Sequence, residues 1–387
     1  MSIAVHSYTL TSALGTGLDA MRASLTRARG GLVAAEWPDC DVPCYLGPVD
    51  LGAAELPLDR ESRNNRLVQL ALQQDDFATG VGALIARHGA DRVGLVMGTS
   101  TSSIDRAEAA YRRLDADSHF PLEYQQPEIH NPHAPGDLTA ALLGIEGPRL
   151  TVSVACASSA KVFATAQRWL EQELVDAVVV GGADSLCLSV IYGFHSLQLV
   201  APEPCRPFAP DRQGISLGEA AGFAVLNRDA QAALDGLTLL GAGESCDAYH
   251  MSSAHPEGLG ARLAMERALA AAGLKAADID YLNLHGTGTR ANDETEGGVC
   301  AELLSANSVA SATKGWTGHT LGAAGIVEAV FCFEALRSGL LPGTHNTRVA
   351  EADFNLLLAN EHRSIRTAMT NSFGFGGNNC SLVFQRR

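Results

Sequence analysis

Short apolar, β-branched runs recur along the chain, each ending in a Gly- or Ser-rich turn that leads into a segment with helical spacing. Val93-Gly94-Leu95-Val96-Met97 runs into Gly98-Thr99-Ser100, and Leu150-Thr151-Val152-Ser153-Val154 into Ala155-Cys156-Ala157-Ser158. Asp176 to Val180 ends at Gly181-Gly182, Tyr281 to Leu284 ends at His285-Gly286, and Thr367 to Asn371 ends at Ser372-Phe373-Gly374 before a last run, Cys380 to Phe384. Apolar spacing predicts helices over Arg66–Ile85, Lys161–Glu173, Gly260–Ala272 and Ile326–Arg337. This alternation is that of an α/β protein with buried sheets. Polar and glycine residues crowd the carboxyl ends of the runs, where the chemistry of open α/β sheets collects. The stretch Pro202 to Pro210, with four prolines, reads as a loop, and Arg228 to Gly236 as a joint between halves. No short-period repeat is present, which excludes a solenoid.

Composition narrows the class. The chain has 387 residues, 46% hydrophobic and 18% charged, with 39 glycines, so disorder, collagen-like repeats and coiled coils are excluded. That length builds two ordinary domains or one large two-part unit. The net charge of −15 repels phosphate and argues against nucleic acid as a partner. The most apolar uncharged stretch, Ser185 to Ala201, carries Ser, Gly, His and Gln and reads as buried interior or interface, not as a membrane span. The start of the chain lacks a cationic segment followed by a hydrophobic one, and the nine cysteines are odd in number and mostly isolated. Both features point to free thiols in a reducing, cytoplasmic setting.

Three residues stand out chemically. Cys156 lies between a β-branched run and a small-residue segment able to begin a helix, where the helix dipole and free N–H groups favour a thiolate. Lys161 adds positive charge if it points back toward the sulfur; the plain alternative is a small buried core cysteine. His285 opens His285-Gly286-Thr287-Gly288-Thr289, and His319 closes Lys314-Gly315-Trp316-Thr317-Gly318-His319. Either alone reads as readily as a satisfied core histidine. Near the end, Asn371 to Asn379 interleaves glycines with Phe373 and Phe375, a turn whose N–H groups can face an oxyanion and whose aromatic can swing as a gate. Gly214-Ile215-Ser216-Leu217-Gly218 matches a hydrolase elbow in letters only, since no strand leads into it. His130 and His133 are separated by Pro132 and complete no metal site, and no nucleotide-binding glycine motif occurs.

The ordered series Val154-Ala155-Cys156-Ala157-Ser158-Ser159, Gly181-Gly182-Ala183-Asp184, Arg206-Pro207-Phe208, Gly218-Glu219-Ala220-Ala221-Gly222, His285 to Thr289, Lys314 to His319 with Glu328, and Gly374-Phe375-Gly376-Gly377 resembles the β-ketoacyl-ACP synthase family of thiolase-like condensing enzymes. The resemblance implies a thiolase-like five-layered αβαβα fold of two similar halves, residues 1–232 with the nucleophile and residues 233–387 with the two histidines, and a two-fold dimer. It implies that Cys156 carries the acyl chain, that His285 and His319 stabilise the enolate left when malonyl-ACP loses carbon dioxide, and that Lys314 and Glu328 orient the His319 loop. Phe375, between Gly374 and Gly376, would serve as oxyanion donor and gate. Thr287, Thr289 and Phe194 would bind substrate.

The same resemblance implies no cofactor bound by the enzyme and no metal; substrates arrive on the phosphopantetheine of an acyl-carrier protein. Arg60, Arg63 and Arg66, spaced to share one helical face, are the expected docking patch for that acidic carrier. The expected assembly is a homodimer or a heterodimer with a chain-length-factor-like homologue. Lys161, Trp316 and Asn378 depart from the residues usual in the family, and Lys161 with Ser196 to Leu199 is similar to ketosynthases of aryl polyene clusters. The alternatives are a non-catalytic chain-length factor, which Cys156 argues against, and a CoA-dependent thiolase, which would need a second cysteine in a loop where Cys380 lies instead in a strand-like run.

Overall fold

The computed structural model describes residues 2–52 and 56–387. Ten strands follow one continuous path: β1 (Ile3–Ser12), β2 (Val93–Gly98), β3 (Arg149–Val152), β4 (Ala177–Asp184), β5 (Ala220–Asn227), β6 (Leu237–Cys246), β7 (Tyr281–Leu284), β8 (Val309–Ala312), β9 (Thr367–Phe373) and β10 (Asn378–Arg386). Their order is β8-β7-β9-β10-β6-β1-β5-β4-β2-β3. Counted within each half, both sets run 3-2-4-5-1, with the same parallel and antiparallel pairings. Among the described residues, the two half-sheets pair only through Ile3↔Leu239 and Ala4↔Thr238.

Between the half-sheets lie α3 (Ser158–Glu171) and α7 (Ala324–Ser338), flanked in the chain by α1 (Arg63–Leu72), α2 (Ala134–Leu143), α4 (Leu188–Ser196), α5 (Leu259–Ala272) and α6 (Arg290–Leu303). Every residue of α7 from Ala324 to Leu336 is buried, as expected of a helix covered on all sides. The two central helices approach closely because position 325 is glycine: a Cβ there would stand 2.3 Å from the backbone nitrogen of Ala160. Phe163, Phe331, Phe333 and Phe384 fill this middle layer. On one outer face α1 and α2 pack Leu67, Val68 and Leu138 against Leu95, Val179 and Val225. On the other, α5 and α6 pack Met265, Leu269 and Val299 against Leu282, Leu284 and Val383. The result is the expected five-layered αβαβα fold.

Two local expectations change. The segment read as one helix over Arg66–Ile85 is broken after Leu72, with Asp75 and Asp76 at φ 57° and 53°. Asp75 is drawn out of the helix to accept the Leu18 N–H at 3.1 Å and the Thr9 hydroxyl at 2.7 Å. The Ser185–Ala201 stretch is interior only in part: Ile191 is buried, whereas Tyr192, His195 and Leu197 face outward. No helix among the described residues is long and apolar enough to cross a membrane.

Candidate active site

Cys156 follows the end of β3 and stands just before the first turn of α3, buried with 6% exposure. The bend that presents it puts Ala155 at φ 52°, a conformation disfavoured for a residue with a Cβ. Ser158 holds that bend, donating to the Ala155 carbonyl at 2.6 Å and accepting the Val154 N–H at 2.9 Å.

His285 leaves β7, and its loop is fixed by buried Glu296, which accepts the N–H groups of His285 at 2.9 Å and Gly286 at 2.8 Å. His319 follows the short helix Lys314–Thr317; its own N–H donates to the Ser216 carbonyl at 2.7 Å, and its carbonyl accepts the Gly218 N–H at 2.9 Å. The segment that resembles a hydrolase elbow is therefore a cradle for His319, and the Ser216 hydroxyl is spent accepting the Cys205 N–H at 3.0 Å.

These elements bring Cys156 Sγ and nitrogens of His285 and His319 within 4.8 Å of one another. The hydrogen bonds behind the rings define their protons. His319 Nδ1 accepts the Leu321 N–H at 3.1 Å, which leaves the proton on Nε2, 3.0 Å from the sulfur. His285 Nδ1 accepts from the Lys314 ammonium at 3.3 Å, so its Nε2 also carries the proton. Burial and the Lys314 charge hold both imidazoles well below their usual pKa, so both are neutral at pH 7. The pair thus presents two N–H donors to a common point.

Cys156 differs from the sequence expectation. Its thiol is not lowered toward neutrality: burial pushes it up to about 11, against the opposing pull of Lys314 and a hydrogen bond from the Phe375 N–H. Desolvation outweighs the helix dipole here because the sulfur is buried. Lys161 also fails to point at the sulfur; it reaches Asn378 and Glu244.

Lys314 and Glu328 form a buried ion pair; the Lys314 ammonium lies against the His285 carbonyl and ring, and Lys314 is also the first residue of the short helix that leads to His319. Burial raises the Glu328 carboxyl to about 7, with Lys314 opposing, and the Ser372 hydroxyl donates to it at 3.3 Å. Asp184 is a positioning residue that the sequence reading quoted without a role. It accepts from Ser100 and Thr101 N–H groups and the Thr99 hydroxyl, and it bonds the Gly322 N–H just beyond His319. Its signal was a single acid closing the apolar run of β4. Glu296 gave no such signal, being one of several acids along α6.

A cavity of about 100 Å³ opens onto the three groups and is also lined by Phe194, Thr287, Thr289, Phe373, Gly374 and Phe375. The Thr287 and Thr289 hydroxyls lie 2.8 Å apart on its wall. The Phe194 and Phe375 rings stack at 5.6 Å. Gly376 is the positive-φ residue next in the turn, and Cys380 is buried in β10, off the cavity wall. The three arginines do not share a helical face. Arg60 lies in the turn before α1, Arg63 is the first residue of α1 and turns inward to pair with buried Glu219, and Arg66 pairs with Glu61 at 2.7 Å. The buried Glu219 carboxylate claims its cation, which removes that charge from the surface.

Residues 65–232 match the family model "Beta-ketoacyl synthase, N-terminal domain", and residues 237–348 match "Beta-ketoacyl synthase, C-terminal domain". Nodulation protein E of Rhizobium meliloti (strain 1021) is 35% identical over 306 residues, covering 76% of each chain. The 3-oxoacyl-[acyl-carrier-protein] synthase 2 of Vibrio cholerae is 33% identical over 339 residues, 81% of this chain and 82% of its own. Among solved structures, the ketosynthase ApeO in complex with its chain length factor ApeC, from Xenorhabdus doucetiae, is similar with a TM-score of 0.88 and 39% identity over 100% of this chain and 98% of that one. The chain belongs to the beta-ketoacyl synthase family of condensing acyltransferases.

Proposed function

We propose that this chain elongates an acyl group by two carbons, with Cys156 as nucleophile and His285 and His319 as a paired hydrogen-bond donor site. The observation that carries this reading is the pair of neutral Nε2–H groups facing the cavity beside Cys156 Sγ.

Acylation comes first. Cys156 Sγ attacks the thioester carbonyl of an acyl-carrier substrate, and the oxyanion is received by the N–H groups of Cys156 and Phe375. The thiol proton leaves with the departing pantetheine sulfur, so one thiol replaces another. A malonyl thioester then enters past Thr287, Thr289 and Phe194. As its carboxylate departs as carbon dioxide, negative charge grows on the thioester oxygen, and the two imidazole N–H donors stabilise it without having to reorganise. The enolate carbon attacks the acyl-Cys156 carbonyl, the Cys156–acyl bond breaks, and the departing thiolate takes one proton from solvent water, which balances the loss of the carboxylate as neutral carbon dioxide. The Lys314–Glu328 pair keeps His285 in the donor tautomer. Because the thiol is held protonated at rest, the site is chemically quiet until a substrate carbonyl arrives.

Substrates on an acyl-carrier protein fit a chain similar to synthases named for that carrier, and specialised aryl polyene elongation fits the likeness to ApeO. The unpaired edge of β3, with exposed Leu150 and Leu142 of the adjoining α2, suits a second copy or a chain-length-factor-like homologue. We place the boundary of the two halves between residues 232 and 233.

The test is malonyl-thioester decarboxylation by a Cys156→Gln variant. Adding His319→Ala or His285→Ala is expected to cut that rate by roughly 10²- to 10³-fold, the usual cost of one lost oxyanion donor. Decarboxylation at the parental rate in either double variant contradicts the assignment.

A further inference from the structure

Two residues outside the group formed by Cys156, His285 and His319 touch each other. Lys161, on the helix that follows Cys156, places its ammonium 3.2 Å from Asn378 Oδ1 and 3.7 Å from Glu244 Oε1. The Lys161 side chain is only 15% exposed, so its charge needs these partners. Glu244 is shared, because its other oxygen is bonded by Arg168 at 2.6 Å. Among the described residues, Lys161 is the only group that hydrogen-bonds the Asn378 side chain.

Asn378 closes the turn that carries Phe375. Its carbonyl accepts the Gly374 N–H at 2.7 Å, and between them Gly376 and Gly377 sit at φ 77° and 76°. A turn with two glycines in that region has little stiffness of its own and takes its position from outside anchors. One anchor is the strap at residues 247–251, whose Met251 carbonyl accepts the Gly376 N–H at 2.8 Å and whose Asp247 N–H donates to the Gly377 carbonyl at 3.0 Å. Asn378 is also paired with Cys246 across β6 and β10, the Asn379 amide donates to the Gly377 carbonyl at 3.0 Å, and the Phe375 ring stacks on Phe194. The side-chain tie from the Asn378 end to the helix beside Cys156 is Lys161. It ties the helix beside the sulfur directly to the turn that supplies the N–H facing that sulfur.

We propose that Lys161 is a positioning residue for acyl transfer: by holding Asn378 it fixes the spacing between the Cys156 and Phe375 N–H groups. This rests on the reading above, in which those two groups receive the acyl oxyanion. It carries a selective consequence. Decarboxylation uses the two imidazoles, neither of which Lys161 touches, so the two half-reactions should separate.

The experiment uses the full chain with Lys161→Met, Asn378→Ala and the double variant. Acylation of Cys156 by an acyl-pantetheine thioester is followed by rapid quench and intact mass, and malonyl decarboxylation is measured with the same changes on a Cys156→Gln background. Each single change is expected to slow acylation by roughly 10- to 100-fold, the scale of a misplaced donor. The double variant should be no slower than the worse single one, and decarboxylation should stay within about threefold. Unchanged acylation, equal losses in both half-reactions, or single effects that multiply in the double variant would each overturn the proposal. A parent chain that takes no acyl group at all overturns the functional reading itself, which separates the two failures.

Discussion

Each imidazole at the cavity has one nitrogen occupied before any substrate arrives, His319 by the Leu321 N–H and His285 by the Lys314 ammonium. Both rings are therefore donors, and neither is poised to take the thiol proton. At this scale the account makes a statement about pH. With its thiol raised to about 11, Cys156 exposes more thiolate with every step of alkali. Alkylation by iodoacetamide should climb about tenfold per pH unit from pH 7 through pH 10 without levelling. A plateau reached by pH 8 would mean that the helix dipole wins over desolvation. That Cys156, His285 and His319 belong together was suggested in the sequence by the ordered series of motifs that holds them, since either histidine alone reads as readily as a core residue; the structure brings the three side chains to one point. Glu296 carried no such mark, because what distinguishes it is burial, and one acid among several along a helix gives no sign that it will be buried; Asp184 was marked only as an acid closing an apolar run, with no sign of the loops it holds. The partners of Lys161 and Arg63 were misjudged for a related reason: each long cation was claimed by an acid or amide far away in the chain, Lys161 by Asn378 and Glu244 and Arg63 by Glu219.

Among elements, the largely apolar strands β2, β4 and β7, each with a parallel neighbour, announced themselves, being buried on both faces. The strands β5, β6 and β8 were hidden by alanine, glycine and serine, small residues required where helices press onto the sheet. The break between Leu72 and Phe77 was equally unreadable, since Asp75 leaves the helix only to serve β1 and Leu18. The contact between α3 and α7 gives an element-scale test. Gly325→Ala places a methyl 2.3 Å from Ala160 N and should destabilise the fold by about 1–3 kcal/mol in denaturant titration. Unchanged stability would show that the central helices yield freely.

Across the whole molecule, one half supplies Cys156 and the other both imidazoles, and the repeated 3-2-4-5-1 order brings the ends of β3, β7 and β9 to a single cavity. The net charge of −15 sets a constraint on this assembly, because an acidic carrier must find local cations that are free of their own acids. Arg63 is not one of them, and the unpaired β3 edge leaves room for a partner to contribute some. What the molecule must do, whatever its partner, is hold an acyl chain on one sulfur. The direct test is intact-protein mass spectrometry after incubation with acyl-carrier thioesters, followed by peptide mapping. The account predicts a gain of one acyl group on the peptide that contains Cys156 and none in Cys156→Ala; an acyl group that maps elsewhere, or that persists in the Cys156→Ala chain, would contradict it.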